Sequence, residues 1–168
     1  MFAYRISAGL ATLLLGMMAG FFFAFSIDVA PAMAHLDATA YIEAQQWINR
    51  VVRNLGFGSV YFGSIACAFV PSVLALRASC KHLALAWLLV ALAYFVMVFW
   101  VTRSINVPIN DAVAQLNPLV PPFNWSVLRD RWNEANLWRT LASSTCFVAA
   151  ILLVSLPSNS PQEQAKVG

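Results

Sequence analysis

Charge is scarce in this chain: only 10% of its 168 residues are Asp, Glu, Lys or Arg, against 61% hydrophobic ones. With a mean hydropathy of +0.72, there is more apolar surface than one soluble core of this size could hide. The reading is an integral membrane protein. Paired cysteines are missing too. Cys67, Cys80 and Cys146 are scattered with no C-x-x-C, which argues against a quinone-coupled thiol–disulfide oxidoreductase. Histidine is limited to His35 and His82, both outside the apolar runs, so a haem held between two axial histidines inside a bundle finds no ligands. No glycine loop of phosphate-binding spacing occurs, which leaves nucleotide chemistry without an anchor. The net charge of +3 is ordinary for short basic loops and calls for no nucleic acid.

What is present is four apolar runs, Ile6–Ile27, Leu55–Leu76, Leu83–Val101 and Leu141–Leu156, to be set against the roughly 20 residues that cross a hydrocarbon core. The start imitates a secretory signal, with Arg5 before the run and Ala32-Met33-Ala34 after it. The run is longer than a typical signal core, so a retained first span is expected. The expected fold class is all-α: a four-helix transmembrane bundle with helical extensions in its first and third connections, occupying residues 1–157. The Pro/Ser/Gln-rich tail 158–168 is expected to be disordered. The location expected is multi-pass integral, in a bacterial inner membrane.

Pro31 is expected to close the first span. Asp37 or Thr39 then caps a helix whose Tyr41, Gln45, Ile48, Asn49 and Val52 share a face. In the second span Gly56, Ser59, Gly63 and Ala66 form a small-residue stripe expected to face a neighbouring helix. Only "RASCKH" separates spans two and three, an antiparallel hairpin by length alone. Pro108 disfavours helix at Val107, so span three is expected to end near Asn106, with Asn110 or Asp111 capping a short helix that turns back. Along the last helix Arg129, Trp132, Asn136, Arg139 and Ser143 fall on one stripe at 100° per residue. The plain alternative is that Arg129 and Arg139 snorkel to head groups.

A four-span topology puts connections one and three on the same side of the membrane. Six of the seven acids and six of the ten Lys/Arg collect there, with amides and tryptophans, at one mouth of an apolar bundle. An apolar floor under a polar lid suits a flat aromatic ligand bearing a few oxygens. The expected partners are thus the lipid bilayer and a hydrophobic aromatic small molecule, and a homo-oligomer is compatible with the sequence.

"GFFFAFSIDVAPAMAHLDATAYIEAQQWINRVVRN", "TRSINVPINDAVAQL" and "RWNEANLWRTLAS" together resemble the anthrone-oxygenase-like integral membrane family of bacteria and fungi, over residues 8–155. The most specific pieces are N-x-P-x-N-D, from Asn106 to Asp111, and W-x-x-x-N-x-x-R, formed by Trp132, Asn136 and Arg139. The resemblance implies oxygenation with no cofactor, neither metal nor flavin. An anthrone has an acidic benzylic CH₂, and its anion can itself reduce O₂. The protein then supplies a base, donors or a cation for the oxyanion, and a dry pocket. The candidate catalytic residues are Asp111 or His35 as base and Arg139 as cation. Asn106, Asn110, Asn136 and Asn49 are the candidate substrate-binding amides, with Trp132 a stacking wall. Asp111 and Arg139 are expected to meet, directly or through an amide. Beside these roles stand plainer ones, Asn110 and Asp111 as caps and His35 as an exposed interfacial residue. Two functions stay open: a membrane oxygenase, or a non-catalytic protein that binds a lipophilic molecule or scaffolds a complex. A convergent Asp111–Asn136–Arg139 set around an open cavity favours the enzyme.

Overall fold

The computed structural model describes residues 2–156, so the expectations for residues 157–168 lie outside it. Among the described residues there are five helices and no strand: α1 Phe2–Met33, α2 Ala38–Val51, α3 Leu55–Arg77, α4 Lys81–Ala114 and α5 Trp125–Ser155. All except α2 are long and apolar enough to cross a membrane. Helix α3 is packed by α1 and α4, and α5 by α4 and α1, so the four close into a bundle around Leu15, Phe22, Trp87, Tyr94 and Val98. Two pairs of buried polar tips meet in this core: the Trp87 indole donates to the Tyr4 hydroxyl at 2.9 Å and Ser64 to the Tyr94 hydroxyl at 3.0 Å.

The helices differ in length, and this builds the site. At ~1.5 Å per residue the 23 residues of α3 reach roughly 35 Å, close to the ~30 Å hydrocarbon core, whereas the 34 residues of α4 reach roughly 50 Å. A tight turn at residues 78–80, with Ser79 in the left-handed region at φ 60°, holds one end of these two helices level. The surplus of α4 therefore emerges at the opposite face, together with the ends of α1 and α5. Helix α2 lies against that emergent end. Its N-cap Asp37 accepts from the Ala40 amide at 2.9 Å. The Gln46 side chain donates to the carbonyls of Val113 and Leu116, both at 3.0 Å; Val113 already accepts from the Leu116 amide at 3.1 Å, so Gln46 reinforces that turn and ties α2 to the end of α4.

Two boundaries differ from expectation for one reason. Pro31 and Pro108 do not stop their helices, which continue to Met33 and Ala114. Each proline follows a segment wound as π-helix, Phe25–Val29 and Thr102–Asn106. The Ala30 amide donates to the Phe25 carbonyl and the Val107 amide to the Thr102 carbonyl, both five residues back. The wide turn resets the register so that each proline falls in the first turn of a fresh α-segment, where its missing N–H is tolerated. Asn110 and Asp111 thus lie inside a helix that continues past Pro108, not in the first turn of a new one that turns back. The stripe in α3 is a second correction. Gly56, Ser59 and Ala66 are exposed and Gly63 is half-buried, while the bundle face is formed by Tyr61, Ser64, Ala68, Pro71 and Ala75. Lipid is as apolar as a helix neighbour, so small residues alone do not tell one from the other.

Candidate functional site

Where the bundle opens toward α2, a cavity of about 560 Å³ lies between α1, α2, α3, α4 and α5, within the usual range for small-molecule sites. Each element contributes a wall. Helix α1 supplies Phe22 and Phe25, α3 supplies Phe57 and Tyr61, and α2 supplies Asn49. Thr102, Asn106, Asn110 and Asp111 come from the π-wound and emergent parts of α4, and Trp132, Asn136 and Arg139 from one face of α5. The floor is aromatic. Phe25 and Trp132 pack with ring centroids 4.8 Å apart.

Arg139 dominates the electrostatics. It is only 5% exposed, so it does not snorkel. Its guanidinium donates to the Thr102 hydroxyl at 3.1 Å and to the Asn136 amide oxygen at 2.8 Å. It also lies over the Phe22 ring at 4.7 Å and the Trp132 ring at 5.3 Å, the geometry of cation–π attraction. No carboxylate pairs with it: the ion pairs among the described residues are Arg53–Asp111 and Arg129–Asp130. Asn136 is fixed in turn by donating to the Ser26 hydroxyl at 2.8 Å, and Ser26 shares a 2.8 Å hydrogen bond with Thr140. A chain of neutral groups from α1, α4 and α5 therefore holds a buried cation in place. The Arg139 Nε, the Asn106 side-chain oxygen and the Asn49 amide nitrogen, all on wall residues, have no hydrogen-bond partner among the described residues.

Asp111 stands at the rim. Its carboxylate accepts from Arg53 at 3.1 Å, with both side chains about three-fifths exposed. The expected pairing with Arg139 does not occur. Thr102, which touches Arg139, and Asp111 are separated by roughly 13 Å along the same helix at ~1.5 Å per residue, because α4 continues outward past Pro108. Asn110 accepts from the Trp132 indole at 2.7 Å, and Asn106 donates to the Trp132 carbonyl at 3.3 Å, so these two amides position the aromatic wall. His35 is exposed beyond the end of α1 and does not line the cavity. Of the last-helix stripe, Arg129 is half-buried, pairs with Asp130 at 2.8 Å and covers Trp125 outside the cavity. Of the expected triad, the cavity, Asn136 and Arg139 come together and Asp111 stays apart.

Several wall residues escaped the sequence reading. Phe22 and Tyr61 sit in apolar runs where an aromatic carries no distinguishing signal, Phe25 stands out only as part of the family-like Phe25-Ser26 pair and not as a wall residue, and Thr102 reads as an ordinary boundary residue. Beneath the rim, Tyr41 packs on Trp125 with centroids 5.2 Å apart. Burial pushes its phenol up to about 12, the nearby Arg129 charge opposing this. Among the described residues no group of three or more His, Cys, Asp or Glu side chains is placed to hold a metal ion.

A family model described as anthrone oxygenase matches residues 50–152. That span holds both N-x-P-x-N-D and W-x-x-x-N-x-x-R, and leaves Phe22, Phe25, Ser26 and Asn49 outside it. No curated protein and no solved structure matches the chain.

Proposed function

The chain belongs to the anthrone oxygenase family, and from that premise we propose that it oxygenates a lipophilic, enolisable aromatic ketone of the anthrone type, without a cofactor, in the cavity around Arg139. The observation that carries this reading is a buried guanidinium held only by neutral groups and aromatic faces. A cation without a counter-charge in a low-dielectric wall lowers the energy of an anion formed beside it. An anthrone becomes such an anion by losing its benzylic proton, the charge spreading to the carbonyl oxygen across the middle ring. Carbonyl and methylene lie on opposite sides of that ring. A cation in one wall and a carboxylate at the rim suit this substrate better than a paired Asp111 and Arg139, which would neutralise each other.

In this reading Asp111, steadied by Arg53, takes the benzylic proton while Arg139 stabilises the enolate oxygen. The enolate passes one electron to O₂, and the radical pair collapses to a peroxide anion on the former methylene carbon. Protonation and loss of water leave the second carbonyl. Of each O₂, one atom stays in the quinone and the other leaves as water. Trp132 and Phe25 flank the rings, and the aromatic walls keep bulk water from the charged intermediates. The membrane in this reading is a bacterial inner membrane, which suits an all-helical bundle.

The test is oxygen uptake by the purified full chain in lipid nanodiscs supplied with dihydroxyanthrone. Quinone absorbance should appear with one O₂ consumed per quinone, and Arg139→Gln should lower the enzymic rate by ~10²-fold or more. Quinone formation at the protein-free rate would remove the proposal. One observation favours the alternative of a non-catalytic lipophile binder, namely that the rim carboxylate is already engaged by Arg53. That binder would hold the same ligand without consuming oxygen.

A further inference from the structure

Two parts of the cavity lining, of opposite chemistry, reach the protein surface. At the rim are Arg53, Asn54, Asn110 and Asp111, with the Arg53–Asp111 pair at 3.1 Å. At its side, between α1 and α3, the lining is Phe21, Phe57, Gly58 and Phe62. Phe21 and Phe62 are 43% and 62% exposed on the outer surface of the bundle, the surface that meets lipid. Phe21 of α1 and Phe57 of α3 touch across the gap with centroids 5.0 Å apart. Inward from this contact the rings continue, Phe57 stacking on Tyr61 at 5.7 Å and Phe21 meeting Phe22 edge-on at 5.9 Å. Phe22 is the ring over which Arg139 sits. A Cβ added at Gly58 would meet nothing within 4 Å, so the wall there has open space.

These positions fix the depth as well. Asn54 caps α3, its side chain accepting from the Phe57 amide at 2.9 Å, and marks where that helix leaves the polar boundary. Phe57, Gly58, Tyr61 and Phe62 occupy its first two turns, just inside the hydrocarbon. A neutral polycyclic aromatic concentrates at that depth, because each Å² of apolar surface moved into water costs about 25 cal/mol. Entering by the rim would require that transfer and the parting of an ion pair, whereas entering by the side requires neither.

We propose that the cavity takes its ligand sideways from the bilayer, through a portal between α1 and α3 gated by the Phe21–Phe57 contact and left passable by Gly58. The class of ligand, a flat and uncharged polycyclic aromatic, rests on the function proposed above. The portal itself rests on the position of the rings. Opening needs only rotation of Phe21, which is partly exposed on the lipid-facing surface.

The test uses the full chain in phosphatidylcholine nanodiscs mixed with vesicles carrying neutral anthraquinone, with entry and exit followed by quenching of tryptophan fluorescence. Phe21→Ala should speed entry and exit together, about 5-fold or more, as removal of a gate does. Gly58→Phe should slow both rates. Raising the ionic strength, which loosens an exposed ion pair and does not act on a neutral probe, should leave both rates as they are. Rates that rise with salt and ignore Phe21→Ala would move entry to the rim and overturn the portal alone. Wild-type protein that does not take up anthraquinone at all would overturn the ligand class, and the portal with it.

Discussion

Arg139 donates to the Asn136 side chain at 2.8 Å, one turn earlier on the same helix, and to the Thr102 hydroxyl on α4 at 3.1 Å, with no carboxylate paired to it among the described residues. A buried charge satisfied this way serves stability poorly, since desolvation outweighs what neutral dipoles return. Arg139→Met should therefore keep or raise the melting temperature in detergent while quinone formation falls ~10²-fold or more. A large drop in melting temperature with oxidation preserved would make Arg139 a structural residue.

Asn136 links Ser26 to Arg139. Asn136→Ala leaves the guanidinium short of one acceptor and Ser26 short of one donor, so thermal unfolding should show a loss of ~1–3 kcal/mol. Because the charge stays but loses its aim, kcat should fall more than KM rises. Asn136→Asp, which places a carboxylate against Arg139, should restore stability and cancel the field the enolate needs.

At the rim the expectation reverses. The Arg53–Asp111 pair is about three-fifths exposed on both sides, so breaking it with Asp111→Asn should change stability by no more than ~1 kcal/mol. If the carboxylate is the base, oxygen uptake falls by ~10²–10⁴-fold. Unchanged uptake in Asp111→Asn would remove Asp111 as the base and leave the enolate forming by another route.

The polar stripe Trp132, Asn136, Arg139 and Ser143 was legible because helical periodicity is set by local geometry, and all four are buried. The same holds for Tyr41, Gln45 and Asn49 on α2 and for the hairpin at residues 78–80. What was not legible depends on winding and on distant partners. Pro108 reads as a stop, and only the π-helical turn before it lets α4 continue and carry Asp111 outward to Arg53. Gln46 gives no sign that its partners are the carbonyls of Val113 and Leu116. The outward stripe of α3 shows the remaining limit, since Gly56, Ser59 and Ala66 look the same to lipid as to a neighbouring helix.

Tyr41 offers a pH test outside the spans. Its phenol is pushed up from 10.0 to about 12 in the fold, chiefly by burial, so the folded state holds the proton more tightly than the unfolded chain. The stability linked to it is complete below about pH 10 and is lost as pH climbs toward 12, by an upper bound of ~2–3 kcal/mol. Thermal unfolding of Tyr41→Phe should show a shallower decline over that range than the wild type, and parallel declines would contradict the assignment.

The most direct measurement of the central claim is the apparent pKa of dihydroxyanthrone bound to the protein without oxygen, read from the visible absorbance of its enolate. If Arg139 stabilises that anion, the bound ligand should ionise at least one pH unit lower in the wild type than in Arg139→Met, a difference of about 1.4 kcal/mol. Equal ionisation in the two proteins would show that the buried guanidinium does not act on the enolate, and the account of this cavity would be wrong.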